Sequence, residues 1–118
     1  MKIAIDVDGT ITHSPRLFKQ LAKSLLTSGN EVFILTGNGY NEMPREKRLL
    51  QLEKFYDFTP EYYTELIIAE GKNDNAVGWE KARIIKERNI DIFIDNDLSY
   101  IDKVRQENPL ILILHPCG

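Results

Sequence analysis

Five short runs of apolar or β-branched residues recur along the chain, and stretches with helical periodicity separate them. Strands that alternate with helices favour a parallel sheet with helices on both faces, because parallel neighbours need a long crossover connection. The sequence therefore predicts an α/β fold. The predicted strands are Lys2–Val7, Glu31–Leu35, Glu65–Ala69, Ile90–Ile94 and Leu110–Leu114, and the predicted helices lie near 15–28, 44–56, 77–88 and 98–107.

The size and charge of the chain narrow the class of protein. Its 118 residues are enough for one hydrophobic core and too few for two, so we expect a single domain over 1–118. A formal charge of -3 gives no general attraction to nucleic acid or to an anionic membrane. The sequence has neither an apolar run long enough to span a membrane nor a secretory signal, so cytoplasm is the expected location.

The first predicted strand ends in two aspartates, Asp6 and Asp8. Strand alternation would direct both carboxylates to the same side. Two like charges a few ångströms apart repel by about 4 kcal/mol at an effective dielectric constant of about 20, so a cation or a shared proton is needed between them. A divalent metal is the simplest candidate. A strand that merely ends in an Asp-Gly turn would explain Asp8 followed by Gly9, but not Asp6.

Two further segments contain residues suited to binding phosphate. The second strand ends in Thr36, Gly37 and Asn38, which offer a hydroxyl, a closely approachable backbone and an amide, although this is also an ordinary loop sequence. On the third predicted helix, Lys81 falls on the inward arc, where an ammonium group needs an anion unless its stem snorkels to water. Lys72, in the preceding loop, is the competing candidate.

The fourth strand is followed by Asp95, Asn96 and Asp97. Their carboxylate and amide oxygens are hard ligands of the kind that Mg²⁺ prefers. Asp97 precedes the last predicted helix directly and is well suited to be its N-cap. Either Asp95 or Asn96 could be the direct metal ligand.

Taken together, these segments resemble the motifs of the haloacid dehalogenase-like (HAD) superfamily, and in particular its small capless phosphatases. The residues that carry the resemblance are Asp6-Val7-Asp8-Gly9-Thr10, which is similar to the first motif DxDGT, Thr36-Gly37-Asn38 for the second, Lys81 for the third and Asp95-Asn96 for the fourth. Asn96 is a departure, because most members carry a second acid there.

The resemblance implies a fold and an activity. The expected fold is a Rossmann-like, three-layer α/β/α domain with a five-stranded parallel sheet in the order 5-4-1-2-3 and no cap. The expected activity is a Mg²⁺-dependent phosphomonoesterase, a hydrolase that works through an aspartyl-phosphate on Asp6, with Asp8 as general acid and base. By the same resemblance, the phosphate-binding residues would be Thr36, Gly37, Asn38 and Lys81, and the metal ligands Asp6, Asp8, Asp95 and Asn96.

Without a cap the crevice is expected to be open. The expected partner is a phosphorylated small molecule such as a nucleotide, or a polynucleotide or protein end, with no membrane partner and a homo-oligomer that covers the site. The charges of Arg45–Arg48 are balanced, so we interpret this segment as a solvated helix face rather than a nucleic-acid patch. Two alternatives are a catalytically weak phosphate- or metal-binding regulatory module and a phosphotransferase.

Overall fold

The structure is a computed structural model that describes residues 1–38 and 44–116. Strands and helices alternate along the chain, as the hydrophobic pattern predicts, and a single turn of 3₁₀ helix spans Pro60–Tyr62. The strands are β1 (Lys2–Ile5), β2 (Glu31–Asn38), β3 (Glu65–Glu70), β4 (Ile92–Ile94) and β5 (Leu112–Leu114), and the helices are α1 (Pro15–Thr27), α2 (Arg45–Tyr56), α3 (Asp74–Glu87) and α4 (Leu98–Glu107).

The five strands form one parallel sheet in the order β3-β2-β1-β4-β5. This is the predicted order 5-4-1-2-3 counted from the opposite edge, so the predicted α/β/α fold is confirmed. The described residues contain no cap domain between the elements. Because β1 lies at the centre, Ile5 pairs in register with Ile34 on one side and Ile94 on the other. The residues that follow β1 therefore emerge between the ends of β2 and β4.

Two apolar layers cover the sheet, one on each face. Alternation along β1 turns Ile3 and Ile5 towards α1, whose Phe18 is buried in the same layer. Ala4 faces the other way, into the layer under α3 and α4. Each fully buried aliphatic side chain contributes about 1.5 to 3 kcal/mol relative to an exposed one. Apolar cores on both faces thus fix the carboxyl ends of the strands, which together form the carboxyl edge of the sheet.

Three element boundaries differ from the predicted ones in ways that shape this edge. The predicted first strand, Lys2–Val7, stops at Ile5, and the chain winds through a tight turn over Val7–Ile11 in which Gly9 has a φ of 81°. Helix α3 begins three residues before the predicted 77, because the side chain of Asn73 accepts the Ala76 N–H at 2.9 Å and caps the first turn. Strand β2 continues to Asn38 through its pairing with β3.

Within residues 1–38 and 44–116, no helix has the length and apolarity that crossing a bilayer would take. The single-domain organisation predicted for 1–118 stays a prediction.

Candidate functional site

A buried lysine lies at the centre of the carboxyl edge. The ammonium of Lys81 donates to Asp6 Oδ1 at 2.9 Å and to Asp95 Oδ2 at 2.8 Å. The side chains of Lys81 and Asp95 are fully buried, and that of Asp6 is only 7% exposed. Lys81 is therefore an internal counterion that holds the ends of β1 and β4 together. The sequence offered two lysines as candidates for binding phosphate. Lys81 is the one that reaches the aspartates, whereas Lys72 is exposed.

The position of Lys81 depends on close packing of α3 against the sheet. A Cβ added to Gly37 would lie 2.6 Å from Val77 Cγ1, so α3 approaches β2 more closely than any larger residue would allow. The ring of Tyr100, from α4, covers the ammonium group, with its centroid 4.4 Å from Lys81 Nζ. Gly37, predicted as a phosphate-binding residue, thus has a packing role in this structure.

Burial shifts the ionisation of this cluster. Desolvation raises the pKa of Asp6 from 3.8 to about 7, and the attraction of Lys81 offsets only part of that rise. For Lys81, burial alone would lower the pKa, but the charges of Asp6 and Asp95 outweigh it and raise the pKa above its usual value. Lys81 is therefore a cation at neutral pH, while Asp6 takes up a proton at a higher pH than an ordinary aspartate does.

Four oxygen-bearing groups, from Asp6, Asp8, Thr10 and Asn96, converge at the carboxyl edge. The end of the Asn96 side chain lies 2.9 Å from the backbone carbonyl of Asp8, 3.2 Å from Asp6 Oδ2 and 3.3 Å from Thr10 Oγ1. With its NH₂ group turned inward, Asn96 donates to all three oxygens. With its carbonyl turned inward, four oxygens face one another and the Thr10 hydroxyl is the one donor among them, so a cation would stabilise the cluster.

The carboxylate of Asp8 points elsewhere. It accepts two hydrogen bonds, both of 3.1 Å, from Nη1 and Nη2 of Arg48 on α2, and its side chain is 65% exposed. The structure therefore brings Asp6 and Asp95 together on Lys81, whereas the Asp8 side chain pairs with Arg48. Only the backbone carbonyl of Asp8 reaches the oxygen cluster.

Arg48 is a functional candidate that the sequence interpretation missed. The predicted solvated face over Arg45–Arg48 is wrong for this residue, whose side chain is only 4% exposed. A further hydrogen bond joins Arg48 Nη1 to Gln51 at 2.8 Å. The signal in the sequence was the helical spacing, because Arg48 lies four residues before the buried Leu52 and shares its face.

The remaining predicted residues have other surroundings. Thr36 is fully buried, and its hydroxyl has no hydrogen-bond partner among the described residues. Asn38 donates to the carboxylate of Glu70 at 3.0 Å. Asp97 caps α4 as predicted, since its side chain accepts the N–H groups of Ser99 and Tyr100. Asp97 also donates its own N–H to Asp95 Oδ1 at 2.9 Å, which occupies both oxygens of that carboxylate.

These contacts decide which residues suit a divalent metal. Among the described residues, no three histidine, cysteine, aspartate or glutamate side chains form a metal-binding group. The oxygen cluster instead offers one carboxylate, from Asp6, together with a carbonyl, a hydroxyl and an amide. Mg²⁺ commonly keeps several waters and takes one or two carboxylates, so this donor set fits it. Asp95 is engaged by Lys81, which leaves Asn96 as the residue of that pair suited to ligation.

Comparison with known proteins bears on the fold of this chain but not on its candidate site. No protein-family model matches the chain, and no curated protein matches it. A solved structure with the same fold is that of a protein from the universal stress protein family from Burkholderia pseudomallei. The two share 12% sequence identity with a TM-score of 0.63, and the match covers 99% of this chain and 96% of the other. At that identity the likeness shows the fold alone.

These findings overturn the predicted family. The matched structure belongs to the universal stress protein family and not to the HAD phosphatases, so the HAD assignment is wrong. The predicted phosphomonoesterase that works through an aspartyl-phosphate on Asp6 is therefore wrong as well. The physical reason is that the motifs are short and lie at strand ends, where any open parallel sheet gathers polar residues.

Proposed function

We propose that the carboxyl edge binds Mg²⁺ through Asp6 Oδ2, the backbone carbonyl of Asp8 and the side chain of Asn96, and that this cation recruits the phosphate group of a small phosphorylated ligand. The observation that carries the proposal is the convergence of oxygens on the end of Asn96, at 2.9 to 3.3 Å. Neighbouring ligands of an octahedral Mg²⁺ ion with bonds of about 2.0 to 2.1 Å lie roughly 3 Å apart. The observed separations match that spacing.

The chain's own residues prepare the site in two ways. Lys81 holds Asp6 Oδ1 and Asp95, so that Asp6 turns its second oxygen to the cluster. Gly9 lets the turn after β1 pass directly beside Asn96, because any Cβ at Gly9 would collide with that side chain. Bound Mg²⁺ would supply the positive charge that a phosphate oxygen needs beside these carboxylates.

The proposal is tested by Mg²⁺ titration of the purified protein, followed by isothermal calorimetry and by the thermal unfolding midpoint. Asn96→Ala should weaken Mg²⁺ binding, whereas Asn96→Asp should strengthen it about tenfold, since affinity for hard cations rises with the charge of the ligands. Asp102→Asn is the matched control, because Asp102 is an exposed carboxylate on α4. Inorganic phosphate should then bind more tightly with Mg²⁺ than without it.

Two results would refute the proposal. One is a wild-type protein that shows neither heat of binding nor thermal stabilisation with millimolar Mg²⁺. The other is equal Mg²⁺ affinity in wild type, Asn96→Ala and Asn96→Asp, because the cation would then bind elsewhere.

Three features predicted from the sequence stay predictions. These are an enzymatic activity, a homo-oligomer that covers the open site and a cytoplasmic location. The first is measured in the same samples by release of inorganic phosphate from p-nitrophenyl phosphate, and the second by sedimentation velocity.

A further inference from the structure

The buried guanidinium of Arg48 is costly unless it has anionic partners. Its present anion is the carboxylate of Asp8, which accepts from both terminal nitrogens in the parallel, two-pronged geometry that Arg also uses for phosphate. The rest of the first turn of α2 is exposed, so burial of Arg48 is specific to this residue. A buried cation is thus paired with an anion that is itself mostly in solvent.

The pairing is loose by the standards of such contacts. Both bonds measure 3.1 Å, whereas charge-assisted N–H to carboxylate bonds are usually about 2.7 to 2.9 Å. The third nitrogen, Nε, is buried and has no acceptor among the described residues. The guanidinium therefore has donor capacity that Asp8 does not use. A side chain exposed to 65% can also leave without opening the core.

Asp8 connects Arg48 to the proposed metal site. Its backbone carbonyl contacts the end of Asn96 at 2.9 Å, while its carboxylate lies on Arg48. The guanidinium and the oxygen cluster are thus separated by the span of a single residue. A phosphate group bound to a cation in the cluster would lie within reach of the same two donors.

We propose that Arg48 is the residue that binds and selects the phosphate group of the ligand, and that the carboxylate of Asp8 occupies the guanidinium as an internal substitute until the ligand arrives. This inference rests on the proposed function for the location of the phosphate. A phosphate dianion has more charge and more acceptor oxygens than a carboxylate, so it displaces Asp8 from the two terminal nitrogens. Binding then releases the Asp8 carboxylate into solvent.

The decisive measurement is the dissociation constant of inorganic phosphate, at constant ionic strength, with saturating Mg²⁺ and with EDTA. Arg48→Lys keeps the charge but loses the two-pronged geometry, and should weaken phosphate binding about tenfold. Asp8→Asn removes the competing anion and should tighten phosphate binding about two- to fivefold, the worth of an ion pair whose carboxylate lies in solvent. Lys47→Met is the matched control on the same helix, where the lysine is exposed.

The opposite responses of the two variants separate recognition from a merely structural ion pair. A structural pair predicts that Arg48→Lys and Asp8→Asn both weaken binding, or both leave it unchanged, and either result overturns the inference. A direct readout is the ¹⁵N–¹H signal of Arg48 Nε, which should shift on addition of phosphate in wild type and in Asp8→Asn. Absence of a shift at saturating phosphate also overturns it.

Failure of this inference is distinguishable from failure of the proposed function. Loss of Mg²⁺ binding in wild type, with phosphate still dependent on Arg48 in EDTA, refutes the metal site and supports Arg48. Intact Mg²⁺ binding, with phosphate indifferent to Arg48→Lys and Asp8→Asn, refutes Arg48 and leaves the metal site. The folded fraction of each variant is checked by circular dichroism before titration.

Discussion

Replacement of Lys81 by Met should remove a large part of the stability of this fold. Lys81 balances Asp6 and Asp95, and all three side chains are at least nine-tenths buried. Removal of one partner from a buried ion pair costs about 3 to 5 kcal/mol, because the remaining charge is left without compensation. Domains of this size unfold with about 5 to 15 kcal/mol in total. With a urea dependence of about 1 to 3 kcal/mol per molar, we expect the unfolding midpoint to fall by about 2 M.

The assay is urea unfolding at pH 7.5 in EDTA, followed by far-UV circular dichroism. Lys86→Met is the control, since Lys86 is exposed on the same helix and its contact with Glu107 is 3.9 Å long. The control should lose less than about 0.5 kcal/mol. The double variant Lys81→Met with Asp95→Asn should recover part of the loss, because it removes one of the two stranded charges. Equal midpoints for Lys81→Met and Lys86→Met would refute the argument that Lys81 is the internal counterion.

Three further predictions follow from single contacts. Asp97→Ala should cost about 1 kcal/mol in urea unfolding through loss of the α4 cap, and a loss within error of zero would contradict the cap. Gly37→Ala should destabilise by about 1 to 3 kcal/mol in the same assay, since the new Cβ would lie 2.6 Å from Val77 Cγ1, and an unchanged midpoint would show that α3 shifts freely. In EDTA, the free energy of unfolding should fall as pH rises from about 4 to about 7, because the pKa of Asp6 is raised in the folded state and that state holds the proton which the unfolded chain has lost. Asp6→Asn should flatten that slope, and an unchanged slope would assign it to other groups.

The period of the hydrophobic residues was sufficient to predict an α/β fold with a parallel sheet, but not the order of its strands. Runs of β-branched residues separated by helical stretches leave few arrangements of a chain this short. The strand order was predicted from the HAD resemblance, and that order is confirmed although the family is wrong. The boundaries were harder, since β1 and β4 are shorter than their apolar runs. In both cases the flanking residue keeps a backbone hydrogen bond, from Asp6 N–H to Ile94 O and from Asp91 N–H to Lys2 O, outside the regular ladder, which a pattern of side chains cannot reveal.

The site was only partly predictable for a related reason. Strand alternation predicted that Asp6 and Asp8 share a side, but alternation holds only while the strand lasts, and β1 ends at Ile5. Helical spacing was correct for Lys81 because α3 is regular as far as Glu87. The same spacing, applied to Arg48, would have placed it beside Leu52 on the buried face. The balanced charges of Arg45–Arg48 led instead to the interpretation of this segment as a solvated face.

The balance of charge at the carboxyl edge sets the order in which ligands bind. With Asp6 ionised, three carboxylates, from Asp6, Asp8 and Asp95, face two cations, Lys81 and Arg48, which leaves one formal negative charge in the absence of a ligand. A phosphate dianion that arrives alone meets that negative charge and must also displace Asp8. With Mg²⁺ bound first, the edge is positive by one charge and the same dianion is attracted. Because coupling between two ligands is reciprocal, phosphate must then raise the affinity for Mg²⁺ by the factor by which Mg²⁺ raises the affinity for phosphate. A factor of one, with the affinity for phosphate the same with and without Mg²⁺, would show that the two ligands do not share this site.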